Sequence, residues 1–407
     1  MMHSSDEEYF NSLIKKPTVF KNIGCLSVTY TPPYLPHREE ELRTLAKYFK
    51  TIFEAQDEPL RKICITGPTG SGKTTLAKRF GQLLENIDKN KNFLLVYINC
   101  RIYKSPYLIV STLARKLNKA IPPRGYSFEE LQSLLIRLLD FYSPKVLLIL
   151  DEVDYLISRV GTDFLYTLLR ISEMTTKQWI SYIFIARNLN FIHQLDASTQ
   201  SSFQSNHISL DKYSETDLKD IIKSRSELAF YDGTITEDSV ELIADISSKS
   251  GDARYSIEIL WGAGQCADDE SSPIVYPDHV RKAKALIHPE IRREVILTLT
   301  LHQKLILLAI IRKLKHTKNA YISTNDAISS YKLVCEEYEE EPRRHTQVWS
   351  YLKELSKQDV ISTKISGEGM RGKTTLISIP DISVETIELF LMKSIDNQKK
   401  TVEYAEK

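Results

Sequence analysis

The stretch KICITGPTGSGKTTLAKRFGQLL, residues 62–84, decides the architecture. Lys62 to Thr66 has strand character, GPTGSGKT at 67–74 fits G-x-x-x-x-G-K-[ST], and an amphipathic helix runs from Thr75 to Leu84. Gly67, Pro68, Thr69, Gly70, Ser71 and Gly72 form a turn whose backbone N–H groups can wrap phosphate oxygens at a helix N-terminus, where the peptide dipoles favour an anion. Lys73 is spaced to reach the β and γ phosphates, the Thr74 hydroxyl to hold Mg²⁺, and Thr75 opens the helix beside them.

Outward from this loop, short apolar runs alternate with amphipathic ones: FLLVYIN, LIVSTLARKL, VLLIL and WISYIFIA. Strands between helices predict a parallel α/β sheet. After His207 the strand signals stop, and helices are expected over Glu215–Leu228, Asp238–Ser247 and Ala253–Cys266, the first opened by Ser214 and Asp217 as a capping-box variant. PEIRREV near Pro289 reads as a boundary. Helices Gln303–Lys315, Asn325–Glu336 and Arg343–Lys357 then precede two strands, VISTKIS and TTLISI, the order of a winged helix-turn-helix. The plan is a polar tail at 1–20, an α/β domain at 21–210, a helical domain at 211–288, a winged helix at 289–390 and a tail at 391–407. The acidic run EEYEEE at 336–341 reads as a solvated loop.

With 407 residues, the chain is long enough for two or three domains. Its longest apolar run, Leu305 to Ile311, is far short of a membrane span, and the start MMHSSDEEYF lacks a signal peptide's cationic and apolar regions, so an unexported chain without membrane contact, cytoplasmic and nucleoid-associated, is expected. Five scattered cysteines without a CxxC pair point to neither a disulfide framework nor a zinc module. The net charge is only +1, so a nucleic-acid site must come from local clustering. Such a cluster exists: Arg343 to Lys373 carries seven cations against three anions.

VLLILDE at 146–152 is a buried strand ending in two carboxylates, with Asp151 placed to hold Mg²⁺ through water and Glu152 to polarise an attacking water. The next strand ends at Arg187-Asn188, where the Asn188 amide could orient that water or simply shape a turn. GDAR at 251–254 opens a helix with Asp252 as N-cap and Arg254 in the first turn.

GEGMRGKT at 367–374 repeats the phosphate-loop pattern, but a strand follows it and no helix dipole faces the loop, so it reads as the tip of a wing. On the third helix of that module Val348, Leu352 and Leu355 share one face and predict its core side. Arg343, Arg344, Gln347 and Lys353 fall on the other side as candidate DNA contacts, arginine being suited to guanine, with Arg371 and Lys373 on the wing.

In their joint order these segments resemble the archaeal replication initiators related to the eukaryotic origin recognition complex and cell-division-control ATPases, within the AAA+ superfamily. The resemblance runs over about residues 20–390 and rests on PPYLPHREEEL (32–42), the phosphate loop, VYINCR (96–101), LILDEVDYL (148–156), RNLNF (187–191), the Tyr213–Arg225 stretch, GDARYSIEIL (251–260) and the terminal winged helix. It implies an α/β AAA+ domain with a helical lid, followed by a winged helix. It also implies that Asn188 is sensor 1 and Arg254 sensor 2, that Tyr213 and Arg225 line the nucleotide, and that Leu35, Pro36 and Arg38 flank the adenine. The stretch from about Ser105 to Leu139 would be the family's DNA-touching insertion, with Arg124 at its bend, where a solvated turn is the alternative.

Two positions depart from the pattern. Asp196-Ala197-Ser198 stands where the family reads Asp-Pro-Arg, so Ser198 replaces the arginine finger, and no Lys or Arg occurs from Asn188 to Asp211. Asp359 replaces a common glycine. The expected protein is an initiator that binds duplex origin DNA, is switched by ATP and ADP with Mg²⁺ through slow hydrolysis, and works with paralogous subunits and the replicative helicase. The competing expectations are a nucleotide-locked DNA-binding scaffold and an AAA+ regulator of transposition or transcription.

Overall fold

The computed structural model describes residues 18–50, 61–88, 92–194, 200, 206–287, 299–357, 360–365, 375–379, 388–389, 391–396 and 398. They form two compact units, one of residues 29–217 with 250–253, the other of 18–28, 218–249 and 254 onward.

The first unit is built on a five-stranded parallel sheet of β1 (Lys62–Thr66), β2 (Phe93–Asn99), β3 (Lys145–Asp151), β4 (Ile180–Ile185) and β5 (His207–Ser209), in the order β2-β3-β4-β1-β5. Because side chains alternate across a strand, β3 serves two cores. Val146, Leu148 and Leu150 face α3 (Pro106–Leu117), α4 (Phe128–Tyr142), α5 (Val153–Val160) and α6 (Asp163–Met174), while Leu147 and Ile149 face α1 (Glu39–Phe49) and α2 (Lys73–Ile87). Burial on both faces explains why VLLIL is a continuous apolar run rather than an alternating one.

Helix α3 starts where Ser105 accepts the Leu108 amide and Pro106 fills the first turn, and α4 starts on a reciprocal Ser127–Glu130 capping box. Leu131, Leu135 and Leu139 of α4 are fully buried, each contributing about 1.5–3 kcal/mol of transfer free energy. Between α3 and α4 the chain turns through residues 122–125, all of them exposed.

In the second unit the helices α7 (Glu215–Ala229), α8 (Glu237–Ser248), α9 (Ala253–Asp269) and α10 (Pro277–Ile287) form the helical domain. The predicted start of α7 is present, with Ser214 N donating to Asp217 Oδ2 and Asp217 N to Ser214 Oγ. Helix α10 is absent from the sequence reading, although Pro277 at its first position followed by Asp278 is a helix-start signal. Residues 18–28, divided in that reading between tail and α/β domain, pack on the lid: the Phe20 ring meets Phe230 at 4.8 Å, and Asp268 accepts the Val19 amide.

The winged-helix part contains α11 (Leu301–Thr317), α12 (Thr324–Glu337), α13 (His345–Lys357) and a sheet of β6 (Ile322–Ser323), β8 (Thr375–Ser378) and β7 (Ser362–Ile365) in that order, all antiparallel. Val348, Leu352 and Leu355 are buried in its core, as the spacing predicts. Helix α13 begins at His345 rather than Arg343, because the Arg344 carbonyl accepts the Gln347 and Val348 amides and so closes the first turn. Glu336 and Glu337 of the acidic run lie in α12, not in a loop, and Glu337 is bound by Arg312.

Candidate nucleotide site and DNA-binding surface

The loop from Gly67 to Gly72 leaves β1 and enters α2 with backbone that only glycine adopts freely. Gly72 sits at φ +90°, and a Cβ there would lie 2.6 Å from the Tyr213 hydroxyl. Gly70, at φ +75°, has no room for one beside Asp252. Ser71 Oγ and N both donate to the Pro68 carbonyl, tightening the turn. The Lys73 ammonium rests on the loop's own carbonyls, 2.7 Å from Gly67 O and 2.6 Å from Pro68 O. Thr69 is exposed at the tip, and Thr75 is half-buried in the first turn of α2.

Thr74 Oγ1 donates to Asp151 Oδ2 at 2.7 Å, and the Tyr97 hydroxyl donates to the same oxygen at 2.8 Å. Asp151 is 4% exposed. Burial, together with the Asp151 charge, raises the Tyr97 phenol well above its ordinary value, so Tyr97 is a neutral donor at this carboxylate. The Lys78 ammonium lies 3.8 Å from the Tyr97 ring centre, and burial lowers its pKa while Asp151 opposes that. Glu152 holds a left-handed backbone at φ 57°, which turns the chain sharply out of β3. Its carboxylate is ion-paired with Arg101, whose guanidinium also lies 5.0 Å from the Tyr155 ring centre.

Arg38 is buried and acts as a strut. Its Nε and Nη2 donate to Ser71 O at 3.2 and 3.0 Å, Nη2 also reaches Asp211 O, and the guanidinium lies 4.0 Å from the Tyr213 ring centre. Tyr213 is buried, its N–H bonded to Gly251 O, and Ala253 N donates to Gly70 O. Thus Arg38, Tyr213 and the start of α9 converge on the phosphate loop. Leu35 and Pro36 are half-buried, Leu35 against the α1–α2 side of the sheet.

Other predicted site residues sit as follows. Asn188 Oδ1 accepts the Asn190 amide at 3.0 Å, the turn arrangement allowed for in its sequence reading, and the Arg187 amide donates to Asp154. Arg225 is buried, with Nη1 donating to Cys25 O at 2.9 Å. Arg254 is exposed in the first turn of α9. Arg371, Lys373, Asp359 and the Asp196–Ser198 stretch lie outside the described residues. Tyr97, Arg101 and Lys78 escaped the sequence reading. The pairing of Asn99 with Asp151 would have placed Tyr97 on the Asp151 side, since the two lie two residues apart on β2.

On the winged helix Arg343, Arg344, Gln347 and Lys353 are all exposed, at and just before α13. The Arg343 amide donates to the Tyr331 hydroxyl, which also meets His302 Nδ1 at 2.8 Å. Arg124 is exposed beside Gly125, which is at φ +114°.

A parallel sheet in this order, a phosphate loop after β1, paired carboxylates at the end of β3, a four-helix lid and a winged helix together define an AAA+ fold carrying a winged-helix domain. Residues 60–195 match the AAA domain family, 219–285 the Cdc6 AAA+ ATPase-type lid domain, and 294–388 the CDC6 C-terminal winged helix domain. The chain is 36% identical over 378 residues to ORC1-type DNA replication protein 2 of Sulfurisphaera tokodaii, covering 90% of each chain. The crystal structure of Cdc6p from Pyrobaculum aerophilum superposes with a TM-score of 0.80 at 30% identity, over 93% of this chain and 99% of that one. The Aeropyrum pernix ORC1 protein, solved in complex with DNA, gives 0.61 at 27% identity over 96% and 100%. The chain therefore belongs to the ORC1/Cdc6 family of DNA replication initiators. Among the described residues, no helix is long and apolar enough to cross a membrane.

Proposed function

We propose that this protein binds duplex origin DNA through its winged helix and the α3–α4 turn, that ATP and ADP with Mg²⁺ switch that binding, and that it helps recruit replication machinery, including paralogous subunits and the replicative helicase. The observation that carries the nucleotide reading is the meeting of Thr74 Oγ1 and Asp151 Oδ2, 2.7 Å apart, beside the phosphate loop. Two hard oxygen donors converging at a buried carboxylate suit Mg²⁺, which usually keeps several waters and binds through one carboxylate and substrate phosphates. When bound, Mg²⁺ would neutralise phosphate charge in the transition state.

The chain's own residues divide the remaining work. Lys73 would leave the Gly67 and Pro68 carbonyls for the β and γ phosphates, exchanging two neutral acceptors for an anionic one. Gly70, Gly72 and the flanking amides would bind phosphate oxygens along the backbone. Leu35, Pro36 and Tyr213 would border the base and sugar, Arg38 holding the loop in register for them. Arg225 and Arg254 would answer the nucleotide from the lid. Glu152 would accept a proton from water that Asn188 orients, once the carboxylate leaves Arg101.

Arg343 and Arg344 would meet base edges at the start of α13, Gln347 and Lys353 would follow along the groove, and Arg371 and Lys373 would meet phosphate or the minor groove. Arg124 would add a backbone contact from the insertion. Support for this reading comes from the exposed cations and from the DNA complex solved for the Aeropyrum ORC1 protein. Footprinting the purified protein on the origins of its host tests it, and protection of a discrete site is the expected result.

A second reading, a scaffold that keeps its nucleotide and hydrolyses little, is favoured by one observation: Glu152 is engaged by Arg101. Single-turnover hydrolysis separates the two, a rate indistinguishable from that of Glu152→Gln favouring the scaffold.

A further inference from the structure

Among the described residues, the bulkiest fully buried side chain belongs to a cation, Arg281 of α10, at 1% exposure. Burying a guanidinium is costly unless its donors are met. Here Nε donates to Ile379 O at 3.0 Å, and Nη2 donates to Ala320 O at 3.0 Å and Asn319 O at 3.3 Å. Ile379 directly follows β8, while Asn319 and Ala320 precede β6. One lid side chain thus grips, through their backbone, the adjoining ends of two neighbouring antiparallel strands of the wing sheet, β6 and β8. Burial lowers the Arg281 pKa to about 10, still far above neutrality, and Asp278 one turn away favours the charge, so the group is held as a cation.

Smaller contacts reinforce the same junction. Asp238 of α8 accepts the Ala320 amide, Asp245 of α8 accepts the Tyr321 hydroxyl at 2.9 Å, and Ser378 of β8 donates to Ala320 O. Ala320 therefore receives Arg281 and Ser378 on its carbonyl while its amide is tied to α8. On the lid side, α10 packs closely on α9: a Cβ on Gly262 would meet Ala283 at 3.0 Å. Helix α9 itself begins at Ala253, whose amide is bonded to Gly70 in the phosphate loop. Within the second unit the contacts run from Gly262 of α9 across to α10, and through Arg281 to the wing sheet.

We propose that Arg281 is a positioning residue for DNA binding, a clamp that fixes the wing sheet to the lid so that the two move as one body when the nucleotide changes. A fork of donors aimed at backbone carbonyls suits this role. Its geometry is satisfied in one register only, whereas an apolar contact would tolerate sliding. The proposal rests on the reading of the winged helix as the DNA-binding element and of the phosphate loop as the nucleotide site.

The test compares full-length wild type with Arg281→Met, which keeps bulk and loses the donors, and Arg281→Lys, which keeps charge and loses the fork. Hydrogen exchange read at residues 318–323 and 375–379 is expected to accelerate at least tenfold in Arg281→Met and less in Arg281→Lys, with residues 66–76 unchanged. The ratio of duplex-DNA affinities with an ATP analogue and with ADP should fall toward one in Arg281→Met while nucleotide affinity stays within twofold of wild type. Wild-type exchange at the wing in both variants overturns the clamp. Faster exchange with an undiminished affinity ratio overturns its role in transmission. A wild-type ratio of one overturns transmission and the switching reading together, with the exchange result still deciding the clamp. If Arg281→Met fails to fold, Arg281→Lys decides by the same two readouts.

Discussion

Arg101, two residues beyond the end of β2, holds the carboxylate of Glu152, the residue that follows β3. The two strands are neighbours with Asn99 paired to Asp151, so the contact is a product of sheet register. It occupies the carboxylate proposed to activate water. Both side chains are partly exposed, at 49% and 35%, so the pair contributes at most about 1 kcal/mol. Arg101→Ala should therefore raise single-turnover ATP hydrolysis by about two- to fivefold. A fall in rate would mean that Arg101 positions Glu152 rather than restrains it.

Lys73 and Glu152 should separate in their effects. Lys73→Ala removes a cation from the phosphates and should weaken ATP binding by about ten- to a hundredfold, the worth of a hydrogen bond to a charged group. Glu152→Gln should leave binding intact and slow hydrolysis by about 10²–10⁴. Equilibrium nucleotide titration and single-turnover assays read the two. Equal ATP affinity in Lys73→Ala and wild type would remove the phosphate loop from the account.

Gly72→Ala places a Cβ 2.6 Å from the Tyr213 hydroxyl at a backbone angle that side chains disfavour. The expected cost is about 1–3 kcal/mol. Tyr213→Phe in the same chain should recover part of it by removing the clashing oxygen, a non-additivity that denaturant unfolding of the four variants would detect. Additive losses would show that the strain lies in the backbone alone.

Acid should destabilise the fold through three histidines that are buried or half-buried. Burial lowers the pKa of His207, His279 and His302, and the charge of Arg343 lowers His302 further. The unfolded chain then binds more protons at mildly acid pH, so their contribution is intact above the unfolded value of about 6.5 and is lost progressively as pH falls toward the lower folded values. Urea midpoints at pH 7.5 and 5.5 should decrease in that order, and less steeply in His302→Gln. A midpoint that rises on acidification contradicts the assignment.

The phosphate loop, the paired carboxylates and the sheet alternation were legible in the sequence because each is a local pattern with one physical meaning. Contacts made across the fold were not. Arg38 on Ser71, Tyr97 on Asp151 and Arg281 on Ala320 join residues 33, 54 and 39 positions apart, and a lone Arg or Tyr carries no mark of the carbonyl or carboxylate it will meet. The lid's fourth helix was missed for a different reason: its buried face includes His279 and Arg281, polar residues that a pattern of apolar positions leaves outside, while Lys282 is taken up by ion pairs with Glu270 and Asp278. The early boundary given to the third winged-helix segment came from reading Arg343 and Arg344 as helical, when Arg344 only caps the turn that follows.

On the proposed DNA-binding surface Arg344→Ala should cost about 1–3 kcal/mol and relax sequence preference, whereas Lys353→Ala should weaken all sequences alike and lower the salt slope by about one. Competition with scrambled duplexes and a salt titration distinguish them. Identical profiles for the two variants would place both side chains on phosphate.

The most direct test of a nucleotide-switched origin binder is the affinity of the full chain for a labelled duplex from its host's origin, measured by anisotropy with a Mg²⁺–ATP analogue and with Mg²⁺–ADP at about 0.1 M salt, where non-specific attraction is moderated. Nucleotide switching predicts affinities that differ by at least about fivefold between the two nucleotides in wild type, and a difference that disappears in Lys73→Ala. Equal affinities in both nucleotide states, or no binding of the duplex in either, would contradict it.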